Sequence, residues 1–133
     1  MKIGFIGYSD TKFDINKANE IINKIKDYIS LDDEIVSGAT LYGIPKLVYK
    51  ALSDNKTIGI MCKDGYNYPL YSCDVIYAIG DNWGDESEFL MDYIDVLIKI
   101  GGGKQSIKEL QMAKDKGIPT YEFELAPIFD KRK

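Results

Sequence analysis

The chain has 133 residues, 45% of them hydrophobic and 29% charged, with a formal net charge of −4. That length suits one domain able to bury a core without disulfide or metal staples, and the acidic balance withholds the basic footprint that nucleic-acid binding requires. No apolar run approaches the roughly 18 residues of a membrane span, and two cysteines without any histidine leave neither a zinc set nor a Cys/His nucleophile pair.

Lys2–Gly7, KIGFIG, is an apolar run ending in glycine and a polar cluster, the pattern of a buried strand feeding a loop. Polar sequence follows it rather than a cleavage site, so the expectation is a cytoplasmic protein with no membrane partner. From Asp14 onward Ile15, Ala18, Ile21, Ile22, Ile25, Tyr28 and Ile29 recur at helical spacing, with Thr11 or Asp14 available as the cap. Glu34–Ser37 reads as a second strand. Gly38–Gly43 is then a loop opening a helix on Ile44, Leu47, Val48, Ala51 and Leu52, with Pro45 in its tolerant first turn.

Thr57–Cys62 and Asp74–Ile79 are the third and fourth strands, joined by the aromatic loop KDGYNYPLYS. Glu86–Tyr93 reads as a short helix and Asp95–Ile100 as the fifth strand. After Gly101–Gly103, a helix over Ser106–Lys116 carries Ile107, Leu110, Gln111 and Met112 and is closed by Gly117. Pro119–Phe123 completes a sixth strand, and the closing Asp130–Lys133 is expected to fray. Alternation at this spacing predicts an α/β, Rossmann-like, doubly wound and mainly parallel sheet of about six strands with helices on both faces. Ligands of such sheets bind beyond the carboxyl ends of the strands, near the reversal of strand order.

The strongest local signal is Gly101-Gly102-Gly103-Lys104-Gln105-Ser106, glycines set between a buried strand and a helix. Glycines let backbone approach a ligand and expose consecutive N–H groups, and the helix start adds partial positive charge, so a phosphate or ribose hydroxyl is the natural guest. The alternative is a tight turn with no ligand. Ser37, Gly38, Ala39, Thr40 and Gly43 repeat the logic after the second strand, and Gly7, Tyr8 and Ser9 after the first. Gly80–Gly84 forms a fourth glycine exit carrying Trp83, which is placed to stack on a base. Tyr8 and Tyr42 occupy the same edge, while Tyr66, Tyr68 and Tyr71 suit a subunit contact. The acidic run Asp81, Asp85, Glu86 and Glu88 fits ribose hydroxyls, a metal, or a solvated helix start.

GGGKQSIKE, following an apolar strand preceded by DYID, resembles the PGGxGTxxE signature of the LOG or lysine decarboxylase-like proteins. SGATLYGIPKLVYKAL resembles their earlier glycine loop and helix, and GFIGYS their first strand and loop. The chain from Lys2 to Phe123 is thus similar to the SLOG superfamily, which also holds the YpsA-like and DprA-like domains. The resemblance implies a nucleotide-derived small molecule as partner and a homo-dimer or higher homo-oligomer.

Matched position by position, Gly102 and Gly103 stand at the paired glycines, Ser106 at the threonine and Glu109 at the terminal glutamate. Gly101 replaces the proline and Gln105 the last glycine. The arginine that LOG phosphoribohydrolases pair with that glutamate has no counterpart, since the only arginine is Arg132. Glu109 is either a catalytic carboxylate one helical turn from Ser106 or a solvated helix residue, and Lys104 either neutralises a phosphate or sits in water.

The resulting expectation is a domain that senses or sequesters a nucleotide or its derivative, with no metal and no resident cofactor. The alternatives are hydrolysis of a nucleotide N-glycosidic bond through Glu109 and a purely structural interaction domain.

Overall fold

The computed structural model describes residues 1–128, so both Arg132 and the fraying expected of residues 130–133 lie outside the described residues. Six strands, β1 (Lys2–Gly7), β2 (Glu34–Ser37), β3 (Lys56–Met61), β4 (Val75–Ala78), β5 (Val96–Ile100) and β6 (Thr120–Phe123), form one sheet in the order β4-β3-β2-β1-β5-β6. Every pairing is parallel. The helices are α1 (Ile15–Lys26), α2 (Gly43–Ala51), α3 (Ser87–Tyr93) and α4 (Lys104–Asp115), with a 3-10 turn at Lys63–Asn67 inside the aromatic loop.

The period-2 geometry of the strands divides the apolar residues into two cores. Ile3 and Phe5 of β1, Ile35 of β2 and Val96, Ile98 and Ile100 of β5 meet α1 and α2 on one face. Ile6, Val36, Ile58, Ile60 and Leu97 meet α3 and α4 on the other. Strands covered on both faces read as continuous apolar runs, which is why β1 and β5 were conspicuous in the sequence. The chain builds outward from β1 through β2, β3 and β4, then returns to β1's other side with β5 and changes face. This reversal places the loop after β1 beside the loop after β5 at the carboxyl edge.

Several boundaries differ from the sequence reading. The first helix ends at Lys26, so Tyr28, expected on its apolar stripe, is 90% exposed. Its cap is Asp14, whose Oδ1 accepts from the Lys17 amide at 3.2 Å. Asp14→Ala is expected to cost about 1 kcal/mol, read as a lower urea midpoint with an unchanged slope. Asp74 is not a ladder residue: its side chain accepts from the Thr57 amide at 2.9 Å and thereby sets the start of β4. Helix α4 begins two residues early, at Lys104, and its buried stripe is Ser106, Glu109, Leu110 and Ala113. Ile107, one of the apolar residues that this helix carries, is exposed.

Beyond β6 the chain turns back over the carboxyl edge. Leu125 is buried, its carbonyl accepts from the Tyr8 hydroxyl at 2.7 Å, Pro127 bridges to Phe13, and the Ile128 amide donates to the Lys12 carbonyl at 2.8 Å. The loop after β1 is therefore held from outside by this segment.

Candidate functional site

A cleft of about 320 Å³ opens at the carboxyl edge of β1, β2 and β3, within the size range of small-molecule sites. The loop after β1 (Gly7–Asp10) and the loop after β2 (Ser37–Thr40) form one side. The amino-terminal half of α4 and Trp83, Glu86 and Leu90 form the other. Of the residues singled out in the sequence, Gly7, Tyr8, Ser9, Ser37, Gly38, Ala39, Thr40, Trp83, Gly103, Lys104, Gln105, Ser106 and Glu109 all line it.

Gly43, Gly101 and Gly102 do not line the cleft; their glycine character serves the backbone around it. All three have positive φ, and side chains are resisted by neighbours from elsewhere in the chain. A Cβ on Gly101 would come within 2.5 Å of the Tyr8 ring and 2.8 Å of the Leu125 carbonyl oxygen. One on Gly102 would meet the Ser106 side chain at 2.5 Å. The triplet thus splits: Gly101 and Gly102 steer β5 into α4, and Gly103, with nothing within 4 Å of its would-be Cβ, faces open space.

Gly103 is also the N-cap of α4, and it has no side chain to act as acceptor. The first amide to find a carbonyl is that of Ile107, which donates to Gly103 O at 3.1 Å. The amides of Lys104, Gln105 and Ser106 have no intrahelical partner and lie where α4 meets the cleft. The Ser106 hydroxyl donates to the Gly7 carbonyl at 3.3 Å and ties this helix end to the end of β1. Two other hydroxyls are similarly committed, Ser37 to the Phe5 carbonyl at 2.7 Å and Thr40 to the Tyr42 carbonyl at 2.9 Å. Donors offered to a guest on this side are therefore mainly backbone N–H groups. Among the described residues lining the cleft, Lys104 is the one cation, and it is exposed at the rim.

Glu109 is not a solvated helix residue: it is 5% exposed, and its Oε2 accepts from the Ser87 hydroxyl at 2.7 Å and from Gln105 Nε2 at 3.4 Å. Burial raises its carboxyl above the ordinary glutamate range, and the negative charge of Glu86 adds to that rise. The Ser87 and Gln105 hydrogen bonds oppose it without cancelling it. Glu86, also buried, accepts from the Gly84 amide at 2.8 Å. The cleft lining thus includes two buried carboxyl groups, Glu86 and Glu109, together with the amide-rich start of α4.

The rest of the acidic run disperses. Asp85 accepts from the Asp81 and Asn82 amides, Asp81 pairs with Lys63 at 3.7 Å, and Glu88 is exposed in the first turn of α3. No three metal-ligating side chains come together among the described residues.

Of the loop tyrosines, Tyr71 packs at a tilt on buried Tyr49, ring centroids 5.1 Å apart, and Tyr68 meets Trp83 edgewise, so both have partners within the chain. Tyr66 is exposed, and Tyr42 lies outside the cleft lining. Both cysteines are free thiols; burial pushes Cys73 up to about 11, which keeps it protonated and non-nucleophilic at neutral pH. Sequence reasoning missed Ser87 and Asp64. Both act through partners about 20 positions away, Glu109 and Trp83, and no local pattern marks such pairs.

No family model and no curated protein matches the sequence. Solved structures do. A structural-genomics target called TM1055 superposes with a TM-score of 0.72 at 20% identity, over 90% of this chain and 71% of that one. The molybdenum cofactor carrier protein of Chlamydomonas reinhardtii superposes at 0.69 and 19% identity, over 92% of this chain and 75% of that one. A second structure of that carrier gives 0.66 at 18% identity, covering 91% and 74%. These likenesses establish the Rossmann-like α/β fold. No described helix is long and apolar enough to cross a membrane.

Proposed function

We propose that this chain is a SLOG-like domain that holds a phosphate-bearing, nucleotide-derived small molecule in the cleft without turning it over. The observation that carries the reading is the amino end of α4. Three amides without intrahelical partners and a side-chain-free cap open into a cleft at the reversal of strand order, a geometry suited to anions. The phosphate would lie at Gly103–Ser106. The sugar and its substituent would extend between the Gly7–Asp10 and Ser37–Thr40 loops toward Glu86 and Glu109. Burial raises the Glu109 carboxyl above its ordinary range, so it holds a proton more readily than a free glutamate and repels an anion less. A molybdenum cofactor carrier protein shares the fold, which accords with holding rather than cutting.

A second reading is favoured by one observation. Glu109 lines the cleft as a buried carboxyl raised above its ordinary range, the direction that favours a general acid for cleavage of an N-glycosidic bond. Incubation with nucleoside monophosphates and cyclic dinucleotides separates the two when thermal stabilisation and released base are followed together. Holding predicts stabilisation of about 2.7 kcal/mol at a ligand concentration one hundred times Kd, with no release of base. Release of base that disappears in Glu109→Gln would establish the second reading, and no stabilisation by any compound would defeat both.

A further inference from the structure

We propose that Trp83, held in place by Asp64, forms a ring subsite in this cleft, against which the flat heteroaromatic part of the ligand stacks. Asp64 is the positioning residue. The proposal rests on the reading of the cleft as a nucleotide site and specifies what the site recognises beyond phosphate.

Trp83 is the only tryptophan in the chain and lines the cleft while remaining 48% exposed. An exposed indole is normally free to change rotamer, yet this one is fixed from two connections. Its Nε1–H donates to Asp64 Oδ2 at 2.7 Å, and the other Asp64 oxygen accepts from Asn67 Nδ2 at 2.8 Å, which locks the acceptor within the 3-10 turn after β3. The Tyr68 ring lies 5.9 Å from the indole at 60°. From the other direction, Asp85 folds the loop that carries Trp83 by accepting from the Asp81 and Asn82 amides. The Lys63 amide then joins the two connections by donating to the Gly80 carbonyl at 2.9 Å.

The consequence is chemical. With its single donor committed to Asp64, the indole has only carbon surface to offer a guest, so it can recognise a flat π-system but cannot read hydrogen-bonding edges. Ordering the ring beforehand removes a rotamer cost that binding would otherwise bear. Aromatic stacking of a base is commonly worth about tenfold or more in affinity. Asp64 is charged but does not line the cleft, so its contribution runs through Trp83.

The test titrates wild type, Asp64→Ala, Asp64→Asn and Trp83→Leu with the four nucleoside 5′-monophosphates and with ribose 5-phosphate, which lacks the ring. Binding is read by thermal stabilisation and, where Trp83 is present, by indole fluorescence. At least one nucleotide should quench the indole and bind about tenfold tighter than ribose 5-phosphate. Asp64→Ala and Trp83→Leu should erase that advantage and leave ribose 5-phosphate affinity unchanged. Asp64→Asn, whose amide oxygen can still accept from the indole, should keep it. Equal affinity of all nucleotides and ribose 5-phosphate would overturn the ring subsite while leaving the phosphate site standing. Parallel loss of both ligand types in Asp64→Ala would reduce Asp64 to a structural role and overturn the proposal. If no phosphate compound bound wild type, the proposed function itself would fail.

Discussion

Replacing Gly43 with alanine is expected to destabilise the protein by about 3 kcal/mol, more than any other single-methyl addition considered. Two effects add. Gly43 has φ of +74°, a conformation that costs an L residue roughly 1–2 kcal/mol. The new Cβ would also overlap the Tyr8 carbonyl oxygen and lie 2.8 Å from Ser9 Cα. These are backbone atoms, and Tyr8 O is already fixed by accepting from the Ile44 amide at 2.8 Å. Relief must come from shifting either the start of α2 or the loop after β1, and both border the cleft, through Pro45 and Gly7–Asp10. Gly117→Ala is the control: its φ of +76° carries the same strain, but nothing lies within 4 Å of the added carbon. Guanidinium denaturation should give a loss of about 1 kcal/mol for Gly117→Ala. Equal losses for the two variants would show that the close approach at Gly43 contributes nothing.

The second large effect is a pH dependence at Glu109. Burial raises this carboxyl above its ordinary value, so the folded state keeps a proton that the unfolded chain releases. Stability then falls as pH rises from the unfolded glutamate value, near 4.5, through the higher folded value, and the full penalty persists above it. Glu109→Gln has no such proton, and its amide oxygen can still accept from the Ser87 hydroxyl. The variant should match wild type or fall slightly below it near pH 4, gain on it as pH rises through the folded value of Glu109, and hold that gain at higher pH. Denaturation midpoints across that range measure the gain. A constant offset between the two proteins would mean that Glu109 ionises as freely folded as unfolded.

What the sequence disclosed follows the range of the interactions involved. Strands β1, β2 and β5 were legible because burial on both faces leaves uninterrupted apolar runs, and α1 because its stripe repeats every three to four residues. α4 was harder to read. Its inner stripe is polar where it faces the cleft, at Ser106 and Glu109, and apolar only where it meets the sheet, at Leu110 and Ala113. Read from Ser106 onward, the helix starts two residues late, and nothing in its spacing marks Ile107 as exposed. The glycine triplet was visible as a motif, but the division of labour within it was not. Gly101 answers to Tyr8 and Leu125, and Gly102 to Gly7 as well as Ser106, neighbours brought together only by the sheet. Asp64 was overlooked for the same reason: the indole it holds lies 19 residues further on.

The segment that returns over the carboxyl edge imposes an order on how the cleft comes into being. The hydrogen bond from Tyr8 to Leu125 spans 117 positions, and the Gly101 amide reaches forward to Phe123. On a ribosome, β1 and its loop emerge early, but their outer support is synthesised more than a hundred residues later. A nascent chain can therefore pair β1 with β2 and pack α1 and α2 while the loop after β1 still lacks the contacts that shape it. Contacts of such long sequence separation form late and slow folding. Formation of the cleft is thus tied to completion of the sheet, and an unfinished chain stalled before β6 would carry much of the fold without the finished cleft.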